Sequence, residues 1–129
     1  GLPDGLEEAE RRLPELMRRG HDSSAVLDTV TTVLLKMGDT DEAGKIADRV
    51  LDMSEVGSVV WFRAHLHKAQ IRAELHDWEG AIELLSAAME NAKEVDDESV
   101  VEANRRLSKW RRHHAEETRP SRPRHRALP

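Results

Sequence analysis

From Ala25 to Met37 the apolar residues Val26, Leu27, Val30, Val33, Leu34 and Met37 recur every three or four positions. That is the stripe of an amphipathic helix, although the valines and threonines would also suit a strand. Asp22, Ser23 and Ser24 offer N-cap oxygens before it. An earlier helix is predicted from Leu6 to Arg19, stopped by Gly20, with Pro14 either kinking it or starting a second helix. GDTDEA at 38–43 breaks the chain, and a helix runs from about Asp41 to Met53 before Gly57 and Ser58 end the unit. Helices follow over Val59 to Leu75 and Glu79 to Ala92, separated by a His-Asp-Trp turn. The acidic stretch 94–99 is a linker with a cap at Asp97 or Ser99. Val100, Ala103, Leu107, Trp110 and His114 then mark one face of a last helix. Beyond Glu117 the Pro- and Arg-rich TRPSRPRHRALP has no apolar pattern and is expected to be disordered.

Two of these segments repeat. GDTDEAGKIADRVL at 38–51 and HDWEGAIELLSAAM at 76–89 share an acidic turn, an alanine behind it and an apolar helix. Aligned on that alanine, Ala9, Ala43 and Ala81 stand 34 and 38 residues apart. A period of this size marks stacked helix pairs. On these residues the chain resembles the tetratricopeptide repeat family. Ala69 takes the small position of a first helix, His76-Asp77-Trp78 the turn, and Ala81 and Ala88 the two alanines of a second helix. The other copy has Thr31, Gly38-Asp39-Thr40, Ala43 and Val50. His76 departs from the usual Gly, Arg72 from the usual aromatic, and no Pro closes either unit.

The resemblance implies an all-α fold, a right-handed superhelical stack of antiparallel helix hairpins. The repeat domain would cover 1–117, with a partial unit at 4–20, units at 24–57 and 61–93, and a capping helix at 100–115. Residues 118–129 would form a basic tail. Ala43, Ala69, Ala81 and Ala88 would let the helices approach closely, with Trp78 covering the turn. First helices in this family line a concave face that holds a peptide or a partner helix. Asp28, Thr32 and Lys36 would stand there from one unit. Arg63, Leu66, Gln70 and Glu74 would come from the next, and Arg105 would extend it. Arg63 and Arg105 could grip a carboxylate. The clamp by which some members hold a C-terminal carboxylate is incomplete, because His67 and Thr29 stand where Arg and Asn are expected.

Composition narrows the chemistry. The 129 residues suffice for one small domain, and with no Cys there is no disulfide, thiolate zinc site or Cys nucleophile. That fits a reducing, cytoplasmic setting. No apolar run approaches the roughly 20 residues of a membrane helix, and no signal peptide is visible. The start at Gly1 fits a piece taken from a longer chain. Residues 105–129 hold nine Lys or Arg against two Glu, a balance of +7, so the rest of a chain whose net charge is −5 carries −12. A basic tail of this kind can contact nucleic acid, acidic protein or the chain's own acidic body.

GDTDEAGK at 38–45 has the wrong spacing for a phosphate loop, and Ile46 replaces the magnesium-binding Ser or Thr. His65 and His67 are two apart and diverge on a helix. His113 and Glu117 are four apart, with no further ligand evident for a metal, and the histidines are expected to be solvated. No nucleophile motif or pKa-split carboxylate pair is visible. The expectation is a non-enzymatic protein- or peptide-binding module without cofactor or metal. One alternative is a ligand-sensing or dimerising region of a bacterial transcription regulator, which the Arg and Ala content and the repeat near 38 residues resemble. The other is nucleic-acid contact through the tail. Self-association is a further expected partner mode, because three repeats are the lower limit for an independent stack.

Overall fold

The computed structural model describes residues 6–20 and 23–119. All regular structure among them is helical: α1 (Leu6–Gly20), α2 (Ser24–Lys36), α3 (Thr40–Met53), α4 (Val59–Glu74), α5 (Trp78–Asn91) and α6 (Asp97–Thr118). None of these helices is long and apolar enough to cross a membrane. The tail from 120 onward lies outside the described residues.

Local chemistry sets the helix ends. Ser23 Oγ accepts from the Val26 amide, and Ser58 Oγ accepts from the Trp61 amide. Each thereby satisfies a donor that the first turn leaves free. The two turns inside the helix pairs have one construction. After α2, the Gly38 amide donates to Leu35 O and the Asp39 amide to Leu34 O. After α4, His76 donates to Ala73 O and Asp77 to Arg72 O. This is the Schellman closure, which needs a left-handed residue just past the helix. Gly38 has φ +84° and His76 has φ +61°. The next residue then becomes the N-cap of the following helix: Asp39 accepts from Glu42, and Asp77 from Gly80.

Two expectations change in detail. Pro14 neither ends nor splits its helix, because α1 is assigned unbroken from Leu6 to Gly20. Pro14 forfeits one backbone donor on an exposed position, where water can serve the freed carbonyl. The last helix is capped by Asp96, ahead of both Asp97 and Ser99. Its Oδ1 accepts from the Ser99 amide at 2.7 Å, and its backbone is extended.

Neighbours in sequence pack on one another throughout, and α2 also lies against α4. Two apolar clusters result. One joins Leu27, Val30, Leu34, Ala43, Ile46, Val50 and Ala64, with Leu13, Leu16 and Met17 of α1 against it. The other joins Phe62, Ala69, Ala73, Ala81, Leu85, Ala88, Ala103, Leu107 and Trp110. Helix α4 contributes to both. Ala43, Ala69 and Ala81 are fully buried, as is Thr31, which donates to Leu27 O. A fully buried Leu or Phe contributes about 1.5–3 kcal/mol each through area removed from water. A separate tie joins the loops at one end. Gly57 O accepts from the amides of Lys93 and Glu94, so the α3–α4 loop holds the α5–α6 loop.

Candidate binding groove

The predicted groove residues come from α2, α4 and α6, and the structure treats them unequally. Asp28 is largely buried, at 8% exposure. Arg63 Nε donates to its Oδ2 at 2.7 Å, and His67 Nδ1 lies 3.5 Å from its Oδ1. Thr32 Oγ1 sits 3.4 Å from His67 Nε2 and donates to Asp28 O. These residues fasten α2 to α4. Asp28 is spent internally, and Arg63 already holds a carboxylate. His67, expected to be solvated, is 7% exposed. Its register explains this: residues 28 and 32 on α2 oppose residues 63 and 67 on α4, a constant offset of 35.

Burial lowers the His67 pKa below its ordinary 6.5. Asp28 opposes that shift, and the nearby Arg63 and Arg106 add to it. The ring is therefore neutral at neutral pH, and a proton on Nδ1 directs a donor at Asp28. Thr32, His67 and Asp28 have the order of a nucleophile relay, but not its spacing. Both gaps exceed the roughly 2.6–3.2 Å of a working proton transfer. Thr32 lies mid-helix, where backbone amides serve helical bonds rather than an oxyanion. The arrangement suits a helix clamp.

Between α4 and α6 the picture opens. These helices lack the close approach that α2 makes to α4. Two cavities lie along the seam. The first, about 290 Å³, is lined by Phe62, Arg63, Leu66, Asp96, Glu98, Ser99 and Glu102. The second, about 270 Å³, is lined by Gln70, Ala73, Glu74, Trp78, Arg106, Lys109 and Trp110. Arg106 separates them. With its oxygen turned toward α6, the Gln70 amide accepts from both Arg106 terminal nitrogens, at 2.7 and 3.1 Å. Arg106 Nε lies 3.2 Å from Glu102, which also accepts from Arg105 at 3.1 Å. Arg105 is thus exposed but paired along its own helix.

Of the remaining predicted groove residues, Leu66 lines the first cavity and Gln70 and Glu74 the second. Lys36 is exposed in the last turn of α2. The pattern of apolar stripes did not point to Arg106, Lys109 or Trp110 as cavity walls. Trp78 stacks on His113 at 4.7 Å and meets His76 at 5.3 Å, so it seals the turn against α6 as well as within its own unit. Among the described residues no group of three His, Cys, Asp or Glu stands together as a metal-ligand set.

Compared with family models, curated proteins and solved structures, the chain matches none.

Proposed function

We propose that this chain is a non-enzymatic, tetratricopeptide-like peptide-binding module whose hairpins stack with a right-handed twist, and that the face shared by α2, α4 and α6 is its concave binding surface. The seam between α4 and α6 carries the proposal. Two side-chain-sized cavities with apolar floors and charged rims lie in line along it. Each is slightly below the roughly 300–1,000 Å³ of small-molecule sites, which fits single side chains of an extended segment. Support for the repeat comes from the two turns of identical construction at Gly38-Asp39 and His76-Asp77.

Leu66→Arg and Glu74→Arg place bulk and charge in the two cavities without touching the Asp28 clamp. Glu83→Arg, on an exposed position of α5, is the control. Partners captured by the parent chain should be lost with both groove variants and kept with the control. Retention of every partner by both groove variants, at unchanged helicity, would sink the reading.

A further inference from the structure

The first three helices hold a cavity unlike those of the seam. Helix α1 packs on α2 and makes no comparably close approach to α3. The gap between α1 and α3 is a space of about 190 Å³. Val30 and Ile46, 1% and 2% exposed, form its floor, and Leu34 a wall. The half-buried Leu13 and Met17 of α1 close it from the other side, with Pro14 at the exposed edge. Every one of these walls is apolar, whereas the seam cavities are bounded by Arg, Lys, Asp and Glu. The one charged group is Glu42, exposed in the first turn of α3.

Water is poorly served in such a space, since it needs about two to four polar partners and the apolar walls supply none. Left empty, the gap forfeits dispersion contacts for each side chain that lines it. An apolar cavity of about 150 Å³ accepts a benzene-sized guest. This one is larger, with room for a short chain beyond the ring.

Glu42 selects among such guests. Its backbone amide donates to Asp39, and its carboxylate has no hydrogen-bond or ion-pair partner among the described residues. Asp39 and Asp41 of the same turn outnumber Lys45, so the local field stays negative. On α1, Arg12, Arg18 and Arg19 are paired with Glu8 and Glu15 of their own helix. An anionic head group at the mouth is therefore repelled. An ammonium is attracted, and it stays in water while its ring enters.

We propose that the cavity between α1, α2 and α3 binds small arylalkylamines, with the ring on Val30 and Ile46 beside Met17 and the ammonium at Glu42. The site is separate from the α4–α6 seam and does not rest on the peptide-binding reading.

The probe is 2-phenylethylamine, added to the full chain and followed by methyl NMR. Its ring current should shift the Met17 methyl saturably, with a dissociation constant on the order of 0.1–1 mM for so small a ligand. Met53 and Met89 should not move. The neutral isostere 2-phenylethanol should bind about two- to five-fold more weakly at low salt, the reach of one exposed ion pair. The anionic 3-phenylpropanoate should be weaker still. Glu42→Gln should bring amine and alcohol to parity. Leu13→Trp, at the half-buried rim, fills the space and should abolish the Met17 shift with every ligand. Circular dichroism checks the helices, and the exposed Glu42→Gln keeps the proposal testable if Leu13→Trp loses them. Absence of a saturable Met17 shift overturns the proposal and means that Leu13 and Met17 close the space themselves. A shift that survives in a folded Leu13→Trp overturns it too. So does an amine preference that is missing in the native chain or persists in Glu42→Gln. Leu66→Arg should leave amine binding unchanged, so this proposal and the groove reading fail separately.

Discussion

Gly57 and Gly38 both have positive φ, +89° and +84°, yet they carry different burdens. A Cβ at Gly38 would meet nothing within 4 Å, so Gly38→Ala costs only the left-handed backbone, about 1–2 kcal/mol. A Cβ at Gly57 would come within 2.7 Å of Lys93 Cγ and 2.9 Å of Asn91 O. The second contact is backbone and cannot swing away. Gly57→Ala should therefore lower the urea midpoint clearly more than Gly38→Ala, with an added cost of about 1–3 kcal/mol from overpacking. Equal midpoints would mean that the Gly57 tie to Lys93 and Glu94 does not persist in solution.

His67 makes a second residue-scale prediction. Its folded pKa is below the 6.5 of the free side chain, chiefly through burial. His65 shifts the same way, through burial and the nearby Lys68. The unfolded chain then binds more protons just below pH 6.5, so stability rises with pH through that window. It should be complete above about pH 6.5 and be lost progressively as pH falls through the folded pKa values. Asp96, whose pKa is lowered mainly by the Ser99 hydrogen bonds, adds a separate loss as pH falls below its ordinary 3.8. Denaturation midpoints between pH 5 and 7.5 should flatten in His67→Gln, while the loss at lower pH stays. An unaltered slope in that variant would place the titration elsewhere.

At the scale of elements, all six helices were legible in the apolar periods and the capping residues. Stripes at three- and four-residue spacing located them, and Ser23 was legible as a cap; Asp39 and Asp77 were legible only as turn residues, Ser58 only as the end of a unit, and Asp96 was passed over for Asp97 or Ser99. What was not legible depends on register between helices. Nothing local at Asp28 says that its carboxylate faces Arg63 and His67, 35 and 39 residues away. The trace that could have shown it is the pair of i,i+4 polar couples, 28 with 32 and 63 with 67, offset by nearly one repeat. The second cavity was missed for a like reason: Lys109 reads as a solvated position until α4 stands opposite. Pro14 tests the element whose span was legible but whose course the sequence left open between a kink and a second start. It is exposed in mid-α1 and borders an apolar cavity with Leu13, Met17, Val30, Leu34 and Ile46. Pro14→Ala restores a backbone donor and should stabilise the protein by about 1–3 kcal/mol, seen as a higher melting midpoint. A lower midpoint would show that the ring's packing beside that cavity outweighs the missing hydrogen bond.

Across the whole molecule, two apolar clusters share one helix. Phe62, Ala69 and Ala73 of α4 belong to the cluster with α5 and α6, whereas Ala64, Val60 and Ile71 belong to the cluster with α1–α3. Polar ties cross the same junction: Arg63 to Asp28 at 2.7 Å and Lys68 to Asp48 at 2.6 Å. Neither half can lose α4 without exposing the other's apolar face, so local and global stability should be coupled. Leu85 is fully buried in the α4–α6 cluster, far in sequence from α2 and α3. Leu85→Ala should cost about 2–5 kcal/mol through lost transfer energy and a cavity. Native-state hydrogen exchange decides how that loss spreads. If the slowest amides of α2 and α3 accelerate as much as those of α5, the chain unfolds as one unit held by α4. If α2 and α3 keep their protection, the first three helices form a stable unit of their own, and coupling through the junction is too weak to link the binding proposed for the α4–α6 seam to the rest of the fold.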